Sequence, residues 1–203
     1  RATGALPEME SAKAAARRVR ARIRAGDSVL DVACGAGHYL RTLRSQVEVD
    51  FSYTGLDGSP RYMALAKQAF AADPAASFTA GDAFRLPFPA RSFDVVMCNN
   101  VLLHLPSIEK PIAELVRVAR RFVLVRTLVG DRSFRVQDVQ GADDEFDDVG
   151  EPRSFHWYNI YSRSYVQRVF RASSRVAAVA IEEDRDFDPA RIAANTDEQP
   201  RAT

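Results

Sequence analysis

One acidic residue and two glycines stand close together in the chain, with the types and spacing that suit binding of a charged ligand. Asp31 lies in an apolar run, residues 29–32, and the tight turn that follows contains Gly35 and Gly37. Glycine adopts backbone angles closed to other residues, and because it lacks a Cβ it lets backbone amides approach a ligand. Asp31 would repel a pyrophosphate at short range but attract an ammonium or a sulfonium group. The pattern therefore predicts a ligand that carries positive charge.

A dinucleotide-binding fingerprint is the main alternative for this turn. In such fingerprints, GxGxxG/A, the third small residue allows close helix packing, and the helix N-terminus receives a pyrophosphate. In this chain the third position is Leu40. Leu40 and Asp31 together favour S-adenosylmethionine over a nicotinamide dinucleotide, so that a nicotinamide-dependent oxidoreductase is the less favoured function.

Further polar residues follow later apolar runs at the intervals of a doubly wound sheet. We predict strands at residues 51–56, 77–80, 93–98 and 121–128, and a helix at residues 60–70. Asp57 ends the second strand, where an acid can accept both hydroxyls of a ribose. Because open α/β sheets bind ligands at the carboxyl ends of their strands, the sequence predicts a Rossmann-like, doubly wound, mostly parallel α/β fold with its site at that edge.

These blocks together resemble the class I S-adenosylmethionine-dependent methyltransferases, in particular the small-molecule branch with the ubiquinone and menaquinone biosynthesis methyltransferases. The resemblance covers residues 27–128 and rests on VLDVACGAGHYL, YTGLDGSPRYMALAK and GDAFRLPFPARSFDVVMCNNVLLHLP. It implies S-adenosylmethionine as cofactor and methyl transfer as the reaction. It also implies which residues bind the cofactor: Asp31, Ala33, Gly35 and Gly37 at the methionine end, Asp57 and Gly58 at the ribose, Asp82 and Ala83 at the adenine, and Asn99 beside the methyl donor.

Candidate residues on the acceptor side come from two later segments. His104 follows the fourth strand and is the candidate base for a hydroxyl or an acidic carbon; ordering of its own loop is the alternative. The connection after the fifth strand concentrates aromatic rings that suit a planar or cationic acceptor, or that anchor the loop to the core. Its candidate substrate-binding residues are His156, Trp157, Tyr158 and Tyr161.

Composition and charge narrow the expected partners. The chain has 203 residues, a formal net charge of +1 and no apolar run long enough to span a membrane, so we expect one cytoplasmic domain. A basic helix at residues 8–24 is expected to be solvated rather than bound to nucleic acid. After the fourth strand the chain lacks the Asp/Asn-Pro-Pro-aromatic motif of base-methylating enzymes, and its Cys and His residues lack metal-site spacing. The expected acceptor is a small molecule, with no metal and reduced thiols at Cys34 and Cys98.

We expect four parts within a single domain. These are an N-terminal helix (1–26), a cofactor-binding core (27–128), a substrate-side insertion (129–161) with an acidic surface excursion (137–151), and a C-terminal helix at residues 162–171, a strand at residues 175–182 and a tail. The usual seventh, antiparallel strand is not evident. Either the chain continues past this sequence, or a second copy covers the sheet edge in a homodimer. A non-catalytic S-adenosylmethionine-binding protein is the alternative from another functional class.

Overall fold

Five parallel strands form the central sheet in the computed structural model, which describes residues 2–4, 6–139 and 146–184. The strand order is β3-β2-β1-β4-β5, and every pairing within the sheet is parallel. This arrangement confirms the predicted Rossmann-like fold. The strands are β1 (Asp27–Val32), β2 (Phe51–Asp57), β3 (Ala76–Ala80), β4 (Phe93–Asn99) and β5 (Ala119–Arg126).

Helices cover both faces of this sheet. One face packs against α1 (Glu10–Arg20), α2 (His38–Gln46) and α3 (Pro60–Ala69), and the other against α4 (Glu109–Val118) and α5 (Arg163–Arg171). Successive residues of β1 and β4 enter opposite cores, and residues 29–32 of β1 and 95–98 of β4 are apolar apart from Asp31, because these stretches are buried on both faces. Asp31 is buried with them.

Two helix starts have clear sequence causes. Ser59 caps α3 through its hydroxyl, which accepts from the amide of Tyr62 at 3.4 Å, and Pro60 occupies the first turn, where its missing N–H costs nothing. Ser162 caps α5 in the same way and accepts from the amide of Tyr165 at 3.2 Å. These caps fix the two helices within one residue of their predicted bounds.

The N-terminal helix is shorter than predicted at both ends. We expected it at residues 8–24, but it begins at Glu10 and ends at Arg20. Before β1 the chain makes a tight turn in which the amide of Arg24 donates to Oδ2 of Asp27 at 2.7 Å and Gly26 adopts a φ of +81°. This turn ends the helix because its dihedrals and its hydrogen bonds are incompatible with a continuing helical ladder.

The predicted sixth strand at residues 175–182 is wrong: residues 175–184 form no regular element. Side chains hold this segment beside β5 in place of a backbone ladder. The guanidinium of Arg175 donates to the carbonyls of Arg117 and Ala119 near the start of β5, and Asp184 pairs with Arg126 at its end. Among the described residues no strand follows α5, and the predicted tail at residues 186–203 lies outside them.

The insertion between β5 and α5 consists of two small strand pairs. The strands β6 (Val129–Gly130) and β9 (Tyr161–Ser162) pair in parallel, while β7 (Gln137–Val139) and β8 (Phe155–Trp157) form an antiparallel pair. The acidic excursion connects β7 to β8. Its described part, residues 146–151, is exposed, and its residues 140–145 lie outside the described part of the chain.

Both cysteines are buried free thiols. Cys34 packs in the core on the α1 face of the sheet, whereas Cys98 packs in the core on the α4 face. Within the described ranges, no helix combines the length and the apolar character needed to cross a membrane.

Candidate active site

The turn between β1 and α2 is built from left-handed backbone conformations. Ala33, Gly35 and Gly37 have φ values of +61°, +54° and +84°. A Cβ on Gly37 would lie 2.7 Å from Cε2 of Phe70, so packing within the protein requires this glycine. A Cβ on Gly35 would meet only the side chain of His38, at 3.8 Å. The backbone at Gly35 therefore faces open space, which a ligand can enter.

Asp57 connects this turn to the loop after β2. Its Oδ2 accepts from the amide of Gly35 and its Oδ1 from the amide of Ser59, both at 2.9 Å. A carboxylate held by two backbone amides has a fixed orientation at the carboxyl end of the sheet. Asp57 thus stands where the sequence predicted a ribose-binding acid.

Asp31 is a carboxyl group buried directly behind the same turn. It is 1% exposed, and its Oδ2 accepts from the hydroxyl of Tyr53 at 2.8 Å. Burial raises the pKa of Asp31 to about 7; the negative charge of Asp57 adds to the rise, and the hydrogen bond from Tyr53 opposes it. A neighbouring cation would favour its ionised form. Because Asp31 is buried, a cationic ligand would stabilise its ionised form, as the sequence predicts.

At the end of β4, the side chain of Asn99 is buried without a hydrogen-bond partner. It is 6% exposed, and neither Nδ2 nor Oδ1 bonds to any of the described residues. Buried amides in native proteins are nearly always paired, so a partnerless one needs an explanation such as a bound molecule. The strand pairing places Asn99 beside Arg126 and the preceding Cys98 beside Val32, so it lies next to the glycine turn.

The loops after β2 and β3 meet at the far side of this edge. A Cβ on Gly58 would lie 3.8 Å from the carbonyl oxygen of Gly81, whose own amide donates to the carbonyl of Asp57 at 3.1 Å. Asp82 is exposed and accepts from the amide of Phe84 at 2.8 Å, while Ala83 is half-buried beside it. The structure therefore brings the predicted ribose and adenine residues onto one continuous rim.

His104 contacts the aromatic segment of the insertion. Its Nδ1 lies 2.9 Å from the carbonyl oxygen of Trp157, and its ring lies 5.7 Å, centroid to centroid, from that of Tyr158. Because a carbonyl oxygen only accepts, Nδ1 carries the proton, and the lone pair lies on Nε2. Its side chain is exposed. His104 orders its loop, and the proposed role as a base rests on Nε2.

The four predicted substrate-binding residues do not form one cluster. Tyr161 is 6% exposed, and its hydroxyl donates to the carbonyl of Leu102 at 3.2 Å, so it belongs to the core. His156 alternates with Trp157 along β8 and is exposed, opposite Asp138. Trp157 lies against the guanidinium of Arg135, 4.5 Å from its ring centroid. Tyr158, 47% exposed, stays accessible beside His104.

A scan against family models matches residues 29–121 to a family described as a methyltransferase domain. The match contains the glycine turn, Asp57, the loop after β3 and the end of β4, which are the parts that converge in the structure. Residues 29–121 are thus similar to a methyltransferase domain.

Relatives of the methyltransferase domain are named for small-molecule acceptors. Demethylmenaquinone methyltransferase of Symbiobacterium thermophilum is 33% identical over 100 residues, which are 48% of this chain and 40% of that protein. Ajmaline N-methyltransferase of Rauvolfia serpentina is 36% identical over 95 residues, 45% of this chain and 32% of that protein. The matched stretch thus spans less than half of the length of either relative.

The fold is shared over a longer range. A solved S-adenosylmethionine-dependent methyltransferase of Methanosarcina mazei superposes with a TM-score of 0.58 and 19% identity, over 76% of this chain and 82% of that one. At this identity the likeness concerns the fold alone. It extends beyond the methyltransferase domain matched by the family model.

The residues present fit S-adenosylmethionine, the cofactor of this family. Open space at Gly35 suits the close approach of a ligand, the fixed carboxylate of Asp57 suits a pair of hydroxyls, and the partnerless amide of Asn99 has hydrogen bonds to give and accept. Buried Asp31 complements a cation. Among the described residues, no group of three or more His, Cys, Asp or Glu side chains is placed to hold a metal ion.

Sequence reasoning missed Asn159, which fastens the insertion to the loop after β4. Asn159 is fully buried; its Nδ2 donates to the carbonyl of Leu105 at 2.9 Å, and its Oδ1 accepts from the amide of Val136 at 3.3 Å. Its own amide donates to the carbonyl of Leu103 at 2.8 Å. A buried asparagine between aromatic residues was the available signal, because such a polar side chain must find partners.

Proposed function

We propose that the protein transfers a methyl group from S-adenosylmethionine to a small-molecule acceptor by in-line displacement. One observation carries the proposal: the fixed carboxylate of Asp57, the open backbone of Gly35 and the partnerless amide of Asn99 converge at one edge of the sheet. The names of the relatives, which refer to a menaquinone precursor and to an alkaloid, support a small acceptor.

The mechanism requires alignment more than side-chain chemistry. When bound at Asp57, Gly35 and Asn99, S-adenosylmethionine would supply a methyl group activated by its sulfonium for displacement by the acceptor. Asp57 and Gly35 fix the position of the ligand, and proximity of this kind is worth on the order of 7–11 kcal/mol. Where the acceptor must lose a proton, Nε2 of His104 takes it.

We propose a role for the insertion on the acceptor side. Asn159 and His104 dock it on the segment that follows β4, next to Asn99, and Tyr158 stays exposed there. In this arrangement Trp157 and Tyr158 contact the acceptor, whereas Tyr161 supports the loop from the core. His156 lies on the other face of β8 from Trp157, and we retain it as a candidate only for an acceptor that reaches around the strand.

Location and association complete the proposal. Buried free thiols at Cys34 and Cys98 are typical of proteins of the reducing cytoplasm. Basic residues of α1 pair with acids, Arg18 with Glu182 and Arg20 with Glu48, which supports a face that does not bind nucleic acid. A homodimer would use the sheet edge at β3 or β5, and sedimentation of the purified protein tests it.

The cofactor assignment is tested by Asp57→Ala. The ribose hydroxyls lose a charged acceptor in a site shaped for them, so binding of S-adenosylmethionine should weaken by roughly 1.5–3 kcal/mol in calorimetry. Thr79→Ala, a half-buried change on the edge strand β3, serves as the control and should bind normally. Unchanged affinity in Asp57→Ala, or preference of the wild type for NADH, would contradict the proposal.

Activity is tested with isotopically labelled S-adenosylmethionine and fractionated metabolite extracts. The expected result is transfer of label into a small molecule, which Asp57→Ala reduces in step with its loss of cofactor affinity. Tight cofactor binding without transfer to any fraction would favour the non-catalytic, S-adenosylmethionine-binding protein instead.

A further inference from the structure

A chain of polar side chains crosses the acceptor side of the site and ends on a charged pair. Arg126, the last residue of β5, lies beside Asn99 in the strand register. Its Nη1 donates to Oδ1 of Asn100, and its Nε donates to Oδ2 of Asp184 at 3.1 Å. The guanidinium is therefore directed to the edge of the sheet where the methyl group would be transferred.

Asn100 is set in an unusual conformation that holds this arrangement. Its φ is +58°, a left-handed value that favours glycine, and its amide donates to the carbonyl of Arg126 at 2.8 Å. Its Nδ2 donates to the hydroxyl of Tyr39 at 3.1 Å. Asn100 thus connects a tyrosine at the start of α2 to the arginine at the end of β5, on two sides of the partnerless Asn99.

The same groups lie within electrostatic reach of one another. Burial is the main cause that raises the pKa of the Tyr39 hydroxyl, and the charges of Asp31, Arg126 and Asp184 also act on it. A guanidinium so close to a site for a cationic cofactor needs an anion beside it, because two cations in a partly buried site repel each other. Among the described residues, the carboxylate of Asp184 is such an anion, with Oδ2 at 3.1 Å from Nε of Arg126.

Asp184 belongs to a segment that side chains alone hold beside the sheet. Residues 175–184 have no backbone ladder, and Glu182 and Glu183 are held through ion pairs with Arg18 and Arg163, whose side chains are 49% and 42% exposed. Exposed pairs of this kind contribute little to stability and are screened by salt. The pair of Asp184 with Arg126 is likewise formed by side chains only, so its separation breaks no backbone hydrogen bond of the sheet.

We propose that Arg126 binds an anionic oxygen group of the methyl acceptor, a carboxylate or a group of similar shape, at the position that Asp184 takes in this structure. The inference rests on the proposed function. It assigns the acceptor to the class of organic acids and makes Asp184 a competing internal ligand. A planar guanidinium suits this role because it presents paired donors to two carboxylate oxygens.

The test uses benzoate as the anionic probe and benzamide as its neutral counterpart, titrated by calorimetry into the protein saturated with S-adenosylhomocysteine. Asp184→Asn removes the competing carboxylate and should bind benzoate at least about tenfold more tightly than the wild type, with no gain for benzamide. When Arg126→Gln is combined with Asp184→Asn, the gain in benzoate affinity should disappear. When Arg126→Lys is combined with Asp184→Asn, only part of the gain should remain.

Glu183→Gln is the matched control, because it removes one negative charge from the same segment, together with the ion pair to Arg163. It should leave benzoate binding at the wild-type level. Equal effects of Glu183→Gln and Asp184→Asn, an equal gain for benzamide, or no gain at all would overturn the inference. Failure of S-adenosylhomocysteine to bind the wild type would instead overturn the proposed function, so the two failures are distinguishable.

Discussion

Single residues in this site are defined by which of their atoms are already bonded. The bond from Nδ1 of His104 to the carbonyl of Trp157 anchors the insertion and at the same time fixes the tautomer, leaving Nε2 as the basic atom. An anchor and the proposed base are thus combined in one ring, and a variant must separate them. Asparagine does so, because its amide nitrogen can take the place of Nδ1 while nothing takes the place of Nε2.

We expect His104→Asn to keep the loop in place and to lower the methyl-transfer rate by about 10²–10⁴-fold, the usual contribution of a general base. Once an acceptor is known, single-turnover rates at several pH values measure this, and the variant should lose the rise of rate with pH. His104→Gln is the companion variant, because its amide nitrogen lies near the Nε2 position and does not take the place of Nδ1. Full activity of His104→Asn, together with a flat pH profile in the wild type, would show that His104 is an anchor only.

At the scale of elements, the turn between β1 and α2 contains two glycines, Gly35 and Gly37, with different structural roles. Both have positive φ, but a Cβ on Gly37 would strike Phe70 at 2.7 Å, while a Cβ on Gly35 would enter open space. The fold therefore depends on Gly37, and we expect ligand binding to depend on Gly35. This difference does not follow from the sequence pattern, in which the two glycines look equivalent.

We expect Gly37→Ala to lower the free energy of unfolding by several kcal/mol, through backbone strain and overpacking together. Gly35→Ala should cost only about 1–2 kcal/mol of stability, from its left-handed backbone. It should nevertheless weaken S-adenosylhomocysteine binding by at least about tenfold, since a methyl group placed in a fitted space costs roughly 1–3 kcal/mol. Urea unfolding and calorimetry measure the two effects. Normal binding of S-adenosylhomocysteine by folded Gly35→Ala would show that the ligand does not lie against Gly35.

Elements were predictable where the causes are local. The strands β1 and β2 lead into glycines and acids and β4 leads into two asparagines, so both the strands and the positions of Asp31 and Asp57 follow from the sequence. Residues 175–182 are rich in small and β-branched residues, but a strand also needs backbone hydrogen bonds to a neighbour. Here the side chain of Arg175 bonds the carbonyl of Ala119 in β5 instead. The contact of Asp184 with Arg126 joins residues 58 apart, which no local pattern indicates.

For the whole molecule, the buried carboxyl of Asp31 couples folding to binding. Its pKa rises from 3.8 to about 7 on burial, so between these pH values the folded protein binds a proton that the unfolded chain has lost. Stability therefore decreases as the pH rises through this range, and the full penalty, a few kcal/mol, applies above about pH 7. A cationic cofactor relieves it, because the ionised carboxylate then has a counter-charge.

We expect the free energy of unfolding of the ligand-free protein to fall between pH 5 and 8 by more than that of Asp31→Asn, whose side chain does not titrate. Groups with lowered pKa values, such as Asp94, Glu109 and Glu114, lose their contributions only in more acidic solution, so they do not mask this window. The stabilisation by saturating S-adenosylmethionine should grow with pH over the same range in the wild type and stay constant in the variant. Urea unfolding at fixed ligand concentration measures both trends. Parallel pH curves for the two proteins would mean that Asp31 is ionised in the free fold, and that the cofactor finds its counter-charge already formed.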